Sequence, residues 1–102
     1  MADYHVGTVI RFEARFVAIT SPTSGYVPAW PTVATLRCKA PDGTISTMEM
    51  ARVESVVGFC IADFVPDVPS TEVLWKAYAI GDGDAKCVQK EPVMFKVLPL
   101  PF

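Results

Sequence analysis

Between Thr8 and Ala18 the side chains alternate. Thr8, Ile10, Phe12, Ala14, Phe16 and Ala18 share one parity, and Arg11, Glu13 and Arg15 share the other. A period of two is strand geometry with one face in a core; a helix would repeat every 3.6 residues. The pattern recurs from Val33 to Ala40, where Ala34, Leu36, Cys38 and Ala40 face one way and Thr35, Arg37 and Lys39 the other. Pro41-Asp42-Gly43-Thr44 follows. Asp-Gly between two alternating runs predicts a hairpin, because glycine accepts the positive φ of a tight turn. The partner is Ile45 to about Val53, with a weaker alternation of Met48 and Met50 against Thr47 and Glu49.

Three further runs complete the pattern. Val56–Val65 is apolar on both parities, which predicts a central or covered strand. Val73–Ile80 sets Val73, Trp75, Ala77 and Ala79 against Leu74, Lys76, Tyr78 and Ile80, and Gly81-Asp82-Gly83-Asp84 turns the chain after it. Lys86–Leu98 is interrupted by Pro92, which predicts a break or an edge position. Ile19–Thr32 holds Pro22, Gly25, Pro28 and Pro31, and prolines so close together predict a long irregular loop. That loop carries Tyr26, Val27 and Trp30. The tail Leu98–Phe102 alternates apolar residues with proline and reads as an extended arm.

Six or seven short strands, with turn signals every 10 to 15 residues and no amphipathic helix, predict an all-β fold of two antiparallel sheets packed face to face. A small β-barrel is the alternative. Residues 1–98 form the single domain and residues 99–102 the arm.

Composition narrows the function. Of 102 residues, 51% are hydrophobic and 20% charged, with a formal net charge of −2. Such a chain is not disordered, and its mild acidity argues against nucleic acid as a partner. So high an apolar share in a small chain leaves apolar surface over, and such surface usually meets a partner. No apolar stretch approaches the roughly 18–20 residues that span a bilayer. The start, Met1-Ala2-Asp3-Tyr4-His5, lacks the basic and apolar regions of a signal peptide, so synthesis in a cytoplasm is expected.

Candidate chemistry is sparse. Cys38, Cys60 and Cys87 are odd in number and widely spaced, which fits buried apolar side chains rather than a disulfide framework or zinc site. His5, the sole histidine, falls at an end expected to fray, with no nucleophile motif near it. Asp82 and Asp84 have the spacing of calcium-loop carboxylates, but no further ligands follow, so a polar turn is expected. No phosphate-binding glycine motif occurs. No catalytic residue, metal or cofactor is expected. Trp75 and Tyr78 are expected in the core. Tyr26 and Trp30 have two readings: rigid anchors for a partner, or a loop folded back onto its own domain. The arm with Leu98, Leu100 and Phe102 can lie on its own domain or reach a neighbouring subunit, and the neighbour is the preferred reading.

The order of these features resembles a family. Val6-Gly7-Thr8-Val9 with Arg11 leads into a strand and a proline-bearing loop. Val33–Lys39, Pro41-Asp42-Gly43-Thr44 and Gly58-Phe59 follow, then the Pro69 turn, Trp75 with Tyr78, a glycine-rich turn, and Glu91 leading to Phe95 and Val97. Over nearly its whole length the chain resembles small immunoglobulin-like structural proteins of tailed bacteriophages, encoded near the head and neck genes. It departs from antigen-receptor domains, since no Trp follows Cys38 at the usual spacing and Gly58–Ala62 only echoes the region of a second cysteine. The resemblance implies an immunoglobulin-like sandwich of about seven strands. It also implies a virion protein made in the host cytoplasm, present in many copies or as a homo-oligomer. Its partners would be the major capsid protein or neck and tail proteins, held through Tyr26, Val27, Trp30, Leu98, Leu100 and Phe102. A carbohydrate-binding or adhesin-type sandwich is the alternative, because aromatic loop residues suit sugar faces.

Overall fold

In the computed structural model the described residues are 2–21, 25–83, 85–87 and 93–101. They form ten strand segments and no helix: β1 (Ala2–His5), β2 (Ile10–Ser21), β3 (Gly25–Pro28), β4 (Ala34–Lys39), β5 (Ile45–Glu49), β6 (Ala51–Arg52), β7 (Phe59–Phe64), β8 (Trp75–Gly81), β9 (Lys86–Cys87) and β10 (Val93–Leu98). One sheet runs β1-β10-β8-β4-β5. The other runs β3-β2-β7-β6, with β9 paired to β2. All pairings are antiparallel except β1 with β10. Neither sheet closes into a barrel among the described residues. The segments outnumber the seven or so strands expected, because β6 and β9 are two-residue pieces and β1 and β3 were not foreseen.

The core lies between the sheets. The inward parity of β2 buries Ile10, Ala14 and Phe16, that of β4 buries Ala34, Leu36 and Cys38, and that of β8 buries Trp75, Ala77 and Ala79. Phe95 is the hub. Its ring meets Tyr4 edge-on at 5.9 Å, Phe12 at 5.7 Å and Trp75 in a stack at 6.0 Å, and Trp75 meets Phe64 at 5.4 Å. Tyr4, Trp75 and Phe95 belong to the first sheet and Phe12 and Phe64 to the second, so the rings join the two layers. Burying each such side chain contributes about 1.5–3 kcal/mol. The Trp75 indole N–H donates to the Val68 carbonyl over 3.1 Å. Ser70 pins the same loop to β10: its amide donates to the Val97 carbonyl, and its hydroxyl accepts from the Val97 amide.

Four expectations are corrected. The stretch Ile19–Thr32 is not all loop. β2 continues to Ser21 and pairs with β3, from Val17 opposite Pro28 to Ser21 opposite Gly25. Pro28 is tolerated because β3 is an edge strand, where a missing N–H breaks no ladder. The N-terminus does not fray. β1 pairs in parallel with β10, and Tyr4 packs on Phe95. The run from Val56 becomes a strand only at Phe59. Residues 53–58 turn instead, through Val56 N–H to Val53 O and Phe59 N–H to Val56 O, and Val56 and Val57 are exposed. Tyr78 is not core. Three residues from Trp75, it falls on the opposite parity of β8 and faces out.

Two further patterns hold. The Asp42-Gly43 hairpin joins β4 to β5, with Gly43 at φ +94° and the Asp42 carboxylate accepting from the Thr44 amide. β7 lies between β2 and β6, as a two-sided apolar strand should. Pro92 lies outside the described residues.

The molecule is elongated, 53 × 25 × 21 Å, with a radius of gyration of 15.2 Å against about 13 Å for a compact domain of this length. The twelve-residue β2 accounts for this, since such a strand spans about 40 Å. Its first half, Ile10–Arg15, pairs with β7 and its second half with β3. Beyond Val17, where β9 also pairs, β2 continues with β3 alone as its partner among the described residues.

Candidate functional site: the hairpin and the terminal arm

Among the described residues, the expected contact positions of the β2–β3 hairpin and of the arm lie toward opposite ends of β2. β10 ends at Leu98, whose carbonyl accepts from the Val6 amide over 2.9 Å. Gly7 and Thr8 then lead into Ile10, and β2 runs away from that end toward its hairpin. Val27 on β3 pairs with Ala18, eight residues beyond Ile10 along β2, or about 27 Å at strand rise.

At the hairpin end, Val27 is 44% exposed. Tyr26 stands opposite Ile19 in the ladder; its side chain lies outside the described set. Trp30 is half-buried and packs on the core cluster. The Arg52 guanidinium lies 4.9 Å from the Trp30 ring centre and also donates to the Pro31 carbonyl at 3.1 Å. This clamp occupies one face of the indole. Of the two readings for Trp30, the folded-back one describes its surroundings.

At the other end, Leu98 is half-buried opposite His5, and Leu100 is 64% exposed, the most exposed large apolar side chain among those described. His5 Nδ1–H donates to the Pro99 carbonyl over 3.0 Å, which holds the root of the arm against β1. Phe102 lies outside the described residues.

The outer faces of the sheets differ in charge balance. On the second sheet, Arg11 and Asp63 are cross-strand partners joined by two hydrogen bonds, 2.9 and 3.2 Å. The bond to Arg11 holds the Asp63 carboxyl below its ordinary range, and that to Asp63 holds the guanidinium above its own. Arg15 lies over the ring of its partner Phe59 at 5.5 Å. On the first sheet, Arg37, Lys39 and Lys76 are exposed around Tyr78. Sequence reasoning missed this group. Parity alone puts each cation outward, but only the β4–β8 register brings them together.

Cys38 and Cys60 are buried and free, and burial pushes the Cys38 thiol up to about 11. Burial raises the thiols of Cys60 and the half-buried Cys87 as well. A thiol so shifted is a poor nucleophile at neutral pH. Asp82 is exposed, and its backbone amide donates to the Val33 carbonyl; Asp84 lies outside the described residues. No three His, Cys, Asp or Glu side chains gather into a metal site among the described residues, and no helix is long and apolar enough to cross a membrane. No protein family, curated protein or solved structure matches this chain.

Proposed function

We propose that this chain is an immunoglobulin-like β-sandwich serving as a structural module of a tailed-bacteriophage particle. It binds capsid or head–tail proteins as a decoration or stabilising unit and catalyses no reaction. The observation that carries this reading is the placement of apolar contact elements toward opposite ends of β2 in a 53 Å molecule: the β2–β3 hairpin with exposed Val27, and an arm with exposed Leu100. A body tied by aromatic packing, with a gripping element at each pole, suits a lattice in which every copy touches two neighbours. Each contact can be modest, because many identical sites add their effects.

The carbohydrate-binding alternative leans on an open aromatic platform. Arg52 over Trp30 covers one such face, so the protein-binding reading is preferred. The test is mass spectrometry of gradient-purified particles from the phage that encodes the chain. The chain should be present in many copies per particle; its absence from particles would overturn the assignment.

A further inference from the structure

The most unusual electrostatics lie on the outer face of the first sheet, away from both poles. Lys39 on β4 and Lys76 on β8 are direct cross-strand partners, and the next pair along is Arg37 with Tyr78. Side chains directly opposite in an antiparallel pair have Cβ atoms about 4.5–5.5 Å apart, and like charges so placed repel. The row continues into apolar residues, Ile45 beside Lys39 and Met94 beside Lys76, both 46% exposed. Tyr78, in the adjacent row on the same face, is 37% exposed. The surface dips into a shallow depression of about 280 Å³ lined by Arg37, Lys39, Ile45, Lys76 and Tyr78.

The chain has acids to spare, with a net charge of −2, yet among the described residues no carboxylate forms an ion pair with this row. Asp3 stands opposite Lys96 near one edge of the sheet, and Glu49 stands opposite Thr35. Asp42 is engaged by the Thr44 amide. Among the described residues the ion pair is Arg11–Asp63, on the other sheet. A sheet that sets two lysines face to face without an acid spends stability on that arrangement. An external anion would remove the repulsion.

We infer that this face docks an acidic segment of a partner polypeptide. The segment lies across Tyr78, with carboxylates meeting Arg37, Lys39 and Lys76 and its apolar side chains resting on Ile45 and Met94. A polypeptide fits better than a nucleic acid. The cations are few and interleaved with apolar side chains, whereas a phosphate backbone asks for a continuous basic track. Carboxylate–cation contacts at such a rim chiefly set the encounter rate and exclude wrong partners. The surface shares no residue with the hairpin or the arm, so its failure and that of the particle assignment are separate outcomes.

The test uses the intact chain and a fluorescein-labelled twelve-residue peptide of alternating Glu and Val, by fluorescence anisotropy at low ionic strength. Saturable binding is expected, weakened at least tenfold in K39Q/K76Q, retained within threefold in K39R/K76R, and unchanged in the off-face control Lys86→Gln. Circular dichroism checks that each variant is folded; R37Q serves as a second weakened variant if the double one is not. Absence of saturable binding would overturn the inference. So would equal loss in the Lys86 control, or tighter binding of an oligothymidylate of equal charge. Concentration-dependent self-association that K39Q/K76Q abolishes would also overturn it, by making a second copy the occupant.

Discussion

Phe16 and Gly58 meet where β2 changes partners. The Phe16 amide donates to the Gly58 carbonyl over 2.7 Å, and the Phe16 carbonyl accepts from the Ala29 amide at 3.1 Å. One residue thus closes the β7 ladder and opens the contact with the segment after β3. Gly58 has φ +82°, and a methyl there would press into the Phe16 carbonyl and the Ala29 backbone. The β2–β3 hairpin depends on this junction.

Gly58→Ala is therefore expected to destabilise the fold by at least 3 kcal/mol, combining left-handed strain of about 1–3 kcal/mol with a backbone collision. Gly43→Ala, at φ +94° in open space, carries the strain alone and should cost about 1–2 kcal/mol. Urea unfolding of both variants checks the ranking. Equal losses would mean that the junction relaxes.

Phe95→Ala removes the ring that touches Tyr4, Phe12 and Trp75 and should cost about 3–5 kcal/mol. Trp75→Phe keeps most of the packing but leaves the Val68 carbonyl without its indole donor, for about 1–2 kcal/mol. Denaturation midpoints would show the order; a Phe95 variant as stable as the parent would remove it from the centre of the core.

Arg52→Ala strips the cation from Trp30 and the donor from the Pro31 carbonyl. A loss of about 1 kcal/mol is expected, with a red shift of the Trp30 emission as water reaches the indole. That emission is best read in a Trp75→Phe background. An unchanged spectrum would show that the clamp does not shield the ring.

Cys38 provides a pH dependence. Its pKa is raised by burial from 9.0 in the unfolded chain to about 11 in the folded one, so the folded state binds the proton more tightly. That contribution is whole below pH 9, declines above it, and is gone once pH passes about 11. The parent should lose stability across this window faster than Cys38→Ala. Parallel pH profiles would contradict the assignment.

Much of the body was legible from alternation. Ile10, Ala14 and Phe16, or Leu36 and Cys38, reveal their inward face by parity, and Asp42-Gly43 announces its hairpin. What stayed hidden was partnership. β1 has no pattern of its own and is a strand because Tyr4 finds Phe95. β3 contains a proline that is acceptable only because the strand lies at an edge. Tyr78 is aromatic, which suggests the core, but parity three residues from Trp75 turns it outward. Of the residues expected to meet a partner, Val27 and Leu100 are exposed, whereas Trp30 lies under Arg52, which is 22 residues away in the chain and invisible to local reading. The Lys39–Lys76 pairing needed the register, which no single strand encodes.

We propose that the two poles hold the protein in a larger assembly. The most direct measurement of this is the occupancy of purified particles by Val27→Asp and Leu100→Asp chains supplied in place of the parent. Both substitutions sit on exposed positions and should leave the thermal midpoint within a few degrees while reducing occupancy at least fivefold. Occupancy equal to that of the parent, with the fold intact, would contradict the claim.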